Sequence, residues 1–308
     1  MRRAFFIVGP TATGKSELAA DVAGEMDAEI VSADAFQIYR GLDLLTAKPD
    51  ASTLAKAPHH LIGTTPLHEA MNAEKYRCAA TRLVEETNSR GKLAIVVGGS
   101  GLYIKALTHG LASLPETDPR LREKLNAISL DELRSQLAEL DAEAARTIDT
   151  KNRRRVVRAL EICLLTGKPA TEVVAGVGDR GRPGPAIPAI GVFVFRDREE
   201  LYQRINQRVE AMFEHGVIEE VRAARFMGTT ASQMIGLREI RELLDGKMSL
   251  FQCIAEIQQA TRRYAKRQLT WFRQQTNFLP LNLSLLTHNE AMKWILLRML
   301  SEVRTRDD

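Results

Sequence analysis

The chain has 308 residues, about twice the ~150-residue prior for one domain, so a large domain or a core with an insertion is expected rather than a small module. With 44% hydrophobic and 27% charged residues it can bury a sizeable core, which excludes disorder, collagen-like repeats and a disulfide-held miniprotein. Forty-three basic against 39 acidic residues leave +4, too small an excess to mark a nucleic-acid binder by itself.

Cys78, Cys163 and Cys253 lie far apart and match no zinc or redox spacing, so buried, reduced thiols in a cytoplasmic protein are expected. The opening Met1-Arg2-Arg3 and the apolar run Ala4 to Val8 imitate a signal peptide. The run ends after five residues at Gly9-Pro10, and no later stretch reaches membrane-spanning length, so no membrane partner is expected.

In chain order, Ala4 to Val8 reads as a strand, followed by a glycine-rich turn and a helix over Lys15 to Met26 with Leu18, Val22 and Met26 on one face. Further strands are predicted at Glu29 to Ser32, Leu93 to Val97 and Pro188 to Phe195. Between the last two lie amphipathic helices over Leu121 to Leu140 and Arg153 to Leu165. A Gly/Pro-rich return loop over Thr166 to Pro188 follows. Helices close the chain at about Glu199 to Glu214, Ile218 to Phe226, Met234 to Leu244 and Ser249 to Gln275. Short apolar strands separated by helices predict an α/β fold with a parallel sheet core flanked by helices. The core is expected over residues 1–115 and 186–308, with a mainly helical insertion at 116–185; no internal repeat is present.

Charge separates along this plan. Residues 1–60 hold six basic and eight acidic side chains, whereas 146–168 hold seven and two, and 247–275 hold six and one. Two concentrated basic segments are the footprint of a polyanion partner; solvated helix faces are the alternative.

Gly9-Pro10-Thr11-Ala12-Thr13-Gly14-Lys15-Ser16 satisfies the P-loop pattern and sits where it must, after a strand and at the start of a helix. Its glycines allow backbone N–H groups to converge on a phosphate, Lys15 neutralises outer oxygens and Ser16 offers a hydroxyl to Mg²⁺. No acid follows the strand at Leu93 to Val97, which runs into Gly98-Gly99-Ser100-Gly101, and no guanine-recognition element is found. Asp34, just beyond the second predicted strand, is placed to act on an acceptor across the sheet edge. A transferase or small-molecule kinase therefore fits better than a motor ATPase or switch GTPase. An ATP-regulated RNA-binding module is the non-enzymatic alternative.

Several blocks in order then carry a resemblance. Beside the P-loop they include Asp34-Ala35-Phe36-Gln37-Ile38-Tyr39-Arg40-Gly41, Thr46-Ala47-Lys48-Pro49, His59-His60-Leu61, Arg158-Ala159-Leu160-Glu161 and the tail Tyr264-Ala265-Lys266-Arg267-Gln268-Leu269-Thr270-Trp271-Phe272. Through nearly all its length the chain resembles the tRNA dimethylallyltransferases, also called tRNA isopentenyltransferases. The resemblance implies a P-loop NTPase-like core and transfer of a dimethylallyl group from dimethylallyl diphosphate to N6 of the adenosine 3′ of a tRNA anticodon.

It implies further that Gly9 to Ser16 hold the diphosphate with Mg²⁺, and that Asp34 is the general base. Arg208 is the candidate for the arginine that would stabilise the leaving pyrophosphate, with Arg204 as the alternative. Ser100 stands where the family usually has Thr and is expected near the adenine. Ala35 replaces a usual Ser, and with Asp34, Phe36, Gln37 and Tyr39 it borders the expected base site. Arg154-Arg155-Val156-Val157-Arg158 matches the tRNA-contacting stretch, with Arg154 for the usual Gln, and Arg122 matches another contact position. Arg158 has an alternative, pairing with an acid inside its own domain. His59 and His60 are expected to pack or hydrogen-bond rather than bind metal, and Trp271 and Phe272 to anchor the last long helix. Lys266 and Arg267 remain open between tRNA and diphosphate. A monomer is expected.

Overall fold

The computed structural model describes residues 3–111, 114–176 and 186–304. Its centre is a six-stranded sheet of β1 (Ala4–Val8), β2 (Glu29–Ala33), β3 (His59–His60), β4 (Ala94–Gly98), β5 (Gly191–Phe195) and β6 (Phe278–Asn282). The spatial order is β3-β2-β4-β1-β5-β6, and every neighbouring pair runs parallel. β1, β2, β4 and β5 read as largely apolar runs because both faces are buried. Phe5 and Ile7 of β1 point into one core with Leu18, Val22 and Ile295, while Phe6 and Val8 point into the other with Tyr103, Ile104 and Phe272. The first core is closed by helices Lys15–Glu25 and His288–Arg304, the second chiefly by Ala73–Ser89, Gly101–His109 and Leu250–Arg273.

Register decides what this sheet presents. Val8 and Ala33 both stand opposite Gly98, so β1, β2 and β4 end at one level and their exit loops emerge side by side.

Two strands escape the sequence reading. β3 has only two residues, both His, and β6 is broken by Pro280, which an edge strand tolerates because one side of its ladder is unused. Helices Ala73–Ser89 and His288–Arg304 also lie outside it. The other predicted helices of the core are present with ends moved by a few residues, as Arg198–Glu214, Val217–Ala223, Leu237–Leu244 and Leu250–Arg273.

The chain divides into two compact units, Met1–Thr108 with Ala186–Asp308, and His109–Pro185. The second is helical: Pro119–Ala127, Leu130–Leu140, Ala142–Thr147, Arg153–Thr166 and Ala170–Gly176 enclose Leu125, Leu133, Leu137, Val156 and Leu160. The single helix expected over Leu121 to Leu140 is two helices. Ile128 is extended and the Ser129 hydroxyl accepts from the Glu132 N–H at 3.2 Å, starting a new helix. The expected return loop from Thr166 contains a helix of its own, Ala170–Gly176; residues 177–185, with most of the Gly/Pro-rich run, lie outside the described residues. All three cysteines are free thiols. Cys163 and Cys253 are buried as expected, but Cys78 is exposed, on the solvent side of helix Ala73–Ser89 beside Glu74.

Away from the exit loops, Glu29 ties three elements together. Its side chain, 6% exposed at the start of β2, accepts from Thr87 at 3.2 Å and from Arg90, and contacts His60 Nε2 of β3 at 2.8 Å. Burial alone pushes the Glu29 carboxyl up, but hydrogen bonds from Arg90, His60 and Thr87 outweigh it and hold the group below the usual glutamate value. A carboxyl lowered on folding stabilises the folded state above its unfolded value and ceases to do so as pH falls through the folded one. Glu29→Ala should therefore cost about 1–3 kcal/mol in urea unfolding at pH 7, and the difference from the unaltered chain should shrink progressively below about pH 4.

Candidate active site at the carboxyl edge of the sheet

The loop after β1 is built for close backbone approach. A Cβ on Gly9 would stand 2.1 Å from the Val194 carbonyl oxygen, Ala12 holds φ 64°, and Gly14 starts helix Lys15–Glu25 from the left-handed region at φ 91°. Inside the loop, Thr13 Oγ1 and Lys15 Nζ donate to the Pro10 carbonyl at 3.1 and 3.2 Å.

Three side chains from distant elements brace this loop. Arg196 Nε donates to the Thr13 carbonyl at 2.9 Å and Arg204 Nε to the Ala12 carbonyl at 2.9 Å. Gln268, buried on helix Leu250–Arg273, accepts from the Thr11 N–H at 3.0 Å and donates to the Gly99 carbonyl at 2.9 Å. One amide thus joins the phosphate loop to the bend after β4. The bend needs its glycines because helix Leu250–Arg273 lies against it: a Cβ on Gly99 would meet Gln268 at 2.3 Å, and one on Gly101 would meet the Trp271 indole at 2.7 Å. Phe272 is fully buried and stacks on Phe193, so both aromatic residues pack as the sequence predicts.

Asp34 leaves β2 facing this loop. Its Oδ1 accepts from the Phe36 and Gln37 N–H groups at 2.9 and 3.2 Å, which orients the carboxylate and leaves Oδ2 for a proton. Ser100 Oγ accepts from the Ala35 N–H at 2.9 Å, fixing the two exit loops to each other. Tyr264 stands over them. Burial raises its phenol, the Asp34 charge adds to that, and a hydrogen bond with Ser100 opposes it.

Lys15 and Arg208 complete the cluster. Burial draws the Lys15 ammonium down to about 8, against the pull of Asp34 and with the help of Arg208. Burial likewise draws the Arg208 guanidinium down to about 10, opposed by Asp34 and assisted by Arg204. The Arg208 Nε–H is buried without a hydrogen-bond partner, an arrangement that costs about 1–3 kcal/mol until an acceptor arrives.

Two cavities meet here. A polar cleft of about 490 Å³ is lined by Lys15, Ser16, Gln37 and Arg204, and an apolar cavity of about 70 Å³ by Phe36, Met212, Phe213, Met234 and Ile257. Thr11, Asp34, Thr46 and Arg208 border both.

Some expected site residues are engaged elsewhere. Tyr39 is fully buried with its hydroxyl accepting from the Met71 N–H at 3.1 Å, which withdraws it from base stacking. The Gln37 amide nitrogen donates to the Thr46 and Ala47 carbonyls at 3.3 and 2.8 Å. His59 bonds to the Ala57 carbonyl and His60 to Glu29. Lys266 and Arg267 are exposed, with Arg267 over the Tyr264 ring at 5.6 Å.

Within the helical unit, Val156 and Val157, expected in the tRNA-contacting stretch, are core residues whose side chains have almost no surface to offer. Arg122 and Arg158 both bind Glu161, which is fully buried, at 3.0 and 2.5 Å. Arg158 also donates to the Pro115 carbonyl. The intradomain pairing considered for Arg158 is thus realised. Arg154 and Arg155 are exposed.

The sequence reading did not assign Gln268, Arg196 or Tyr264 a role. Gln268 and Tyr264 lie in the distinctive tail block, but the partners of Gln268 are 169 and 257 residues away.

Comparison with known proteins follows from this geometry. The model of the IPP transferase family matches residues 37–275. A tRNA dimethylallyltransferase of Citrifermentans bemidjiense is 42% identical over 268 residues, 86% of this chain and 87% of that protein. One of Akkermansia muciniphila is 41% identical over 88% of this chain and 90% of its own. Among solved structures, the full-length tRNA isopentenylpyrophosphate transferase of Bacillus halodurans superposes with a TM-score of 0.73 at 32% identity, covering 100% of this chain and 98% of that one. A eukaryotic dimethylallyltransferase captured acting on tRNA gives a TM-score of 0.74 at 25% identity over 92% and 74%. With a P-loop core and a match over most of its length, the chain belongs to the IPP transferase family of tRNA-modifying prenyltransferases.

Proposed function

We propose that the chain transfers a dimethylallyl group from dimethylallyl diphosphate to N6 of the adenosine immediately 3′ of a tRNA anticodon. The observation that carries the reading is the junction of the two cavities. Lys15 and Arg208 are half-buried beside Asp34, the buried Arg208 Nε–H has no hydrogen-bond partner, and an apolar cavity opens from the same point. A prenyl diphosphate fits both halves. Its diphosphate satisfies the cations and the orphaned Arg208 Nε–H, and its five carbons, at ~0.8 kcal/mol each, contribute about 4 kcal/mol when buried.

In the transfer, the bond from N6 to C1 of the prenyl group forms as the C1–O bond to diphosphate breaks. The N6 proton goes to Asp34 Oδ2, held in place by the two N–H bonds on Oδ1. Lys15 and Arg208 receive the charge that develops on the leaving diphosphate. Arg204 holds the P-loop backbone through Ala12, which favours Arg208 over Arg204 for direct contact with diphosphate.

The hard oxygen donor Ser16 lines the cleft and suits Mg²⁺. Among the described residues no group of three His, Cys, Asp or Glu side chains stands at metal-ligand spacing, so Ser16 together with diphosphate oxygens would hold the ion. When bound, it neutralises charge on the departing diphosphate.

The flipped adenine is read by the exit loops around Asp34, Ala35, Phe36 and Ser100, with Phe36 an aromatic surface next to Asp34. Arg154 and Arg155 are the exposed arginines for the anticodon stem. One chain suffices for this chemistry, a monomer. Among the described residues no helix is long and apolar enough to cross a membrane, and free thiols suit the reducing cytoplasm.

Incubating the protein with an anticodon stem-loop, dimethylallyl diphosphate and Mg²⁺ should raise the RNA mass by one prenyl group. An unchanged mass, with ATP consumed when a small acceptor is supplied, would replace this reading by a kinase. Asp34→Asn should keep RNA affinity and lose about 10²–10⁴ in turnover in the same assay. Affinity of the free protein for inorganic pyrophosphate, followed by calorimetry, should fall as pH rises through about 8, where Lys15 loses its proton, and Lys15→Met should remove that step. Replacing Arg154 and Arg155 by Ala should make the slope of log affinity for RNA against log salt shallower by about one to two, as two phosphate contacts are lost.

A further inference from the structure

Residues 41–49 follow the Asp34 turn and contribute Leu45 and Thr46 to the apolar cavity, and Thr46, Ala47 and Pro49 to the polar cleft. Their backbone is held in an unfavourable path. Leu42 and Ala47, both with a Cβ, adopt φ 54° and 50° in the left-handed region. Such a path persists only where its surroundings impose it.

Three side chains impose it. Gln37 donates to Thr46 and Ala47, and the largely buried Lys48 Nζ donates to the Tyr39 and Gly41 carbonyls at 2.6 and 3.1 Å and pairs with Asp43. Both belong to the same stretch of chain. The third, Glu220, does not: it lies on helix Val217–Ala223, and its two oxygens accept from the Leu44 and Leu45 N–H groups, each at 2.9 Å. Accepting two backbone N–H groups on one carboxylate is a strong, directional grip.

What Glu220 joins matters more than the grip itself. The same helix places Val217 in the wall of the apolar cavity, and the loop places Leu45 and Thr46 in that wall too. Nothing else of comparable strength crosses between these two walls among the hydrogen bonds of the described residues. Releasing it would let the loop relax from its left-handed turns and Leu45 move away from Val217.

From this arrangement we infer that Glu220 is a positioning residue that sets the width of the apolar cavity and so confines the transferred group to five carbons. The inference rests on the prenyl-transfer reading above. Glu220 itself touches no reacting atom in this account. Its effect reaches the substrate through Leu45 and Thr46.

The test uses the full chain, an anticodon stem-loop and, separately, dimethylallyl diphosphate and the ten-carbon geranyl diphosphate. In Glu220→Ala, KM for dimethylallyl diphosphate should rise while kcat changes less. The ratio of kcat/KM for geranyl over dimethylallyl diphosphate should rise by about tenfold or more, the scale on which apolar pockets sort chain length. Glu220→Gln keeps one acceptor oxygen and should fall between, which also decides the matter should Glu220→Ala not melt cooperatively. Hydrogen exchange at the Leu44 and Leu45 amides should accelerate in the same order while β1 and β4 stay protected. If the unaltered chain prenylates RNA but the ten-to-five-carbon ratio is the same in both variants, the inference falls alone. If the unaltered chain transfers no prenyl group, the functional reading falls and takes the inference with it.

Discussion

The structure depends on an imbalance of partly buried charge at the end of the sheet. Lys15 and Arg208 are drawn partly out of water beside Asp34, and Arg208 keeps a buried N–H with nothing to bond. Isolated, such a cluster is unfavourable, and it would be relieved by a side-chain rearrangement unless the surroundings forbade it. The surroundings do forbid it. The P-loop that carries Lys15 is fastened from behind by Arg196, Arg204 and Gln268, and Asp34 is fastened by its own turn. An anion arriving in the cleft therefore meets donors already in place and needs little reorganisation to be bound.

Gln268 shows how donor and acceptor chemistry are kept in one frame. Its amide spans the loop expected to hold the leaving group and the bend carrying Ser100, and Ser100 in turn holds the Ala35 N–H next to Asp34. A chain of neutral hydrogen bonds thus fixes the distance between the P-loop and the candidate base. Because the register of β1, β2 and β4 already brings the three loops to one level, this chain has only to hold the spacing.

The helical unit solves a different problem. Glu161 is fully buried, which a carboxylate tolerates only with opposite charge, and Arg122 and Arg158 supply it. Two arginines that a sequence pattern assigns to RNA are thereby committed at least in part to internal order. The exposed pair Arg154 and Arg155, one turn earlier on the same helix, is left facing solvent. Truncating Arg158 would leave the buried Glu161 with Arg122 as its remaining arginine partner, so loss of RNA affinity in such a variant would not by itself report an RNA contact.

Sequence alone determined the parts of this protein whose physics is local. The phosphate loop is one contiguous octapeptide, and its glycines, lysine and strand-to-helix context are read without knowing what lies across from it. The same is true of the apolar runs of β1, β2, β4 and β5, each buried on both faces, and of Asp34, whose turn is made with the next three residues. Tertiary structure alone decided which side chains serve that local chemistry. Gln268 meets Thr11 across 257 residues, Arg196 meets Thr13 across 183 and Glu220 meets Leu44 across 176, with no periodicity to announce them. Nor did sequence reveal β3 and β6, whose pairing partners rather than their own residues make them strands, or that Val156, Val157 and Tyr39 turn inward. Burial and pairing are properties of neighbours in space, and only the folded chain names those neighbours.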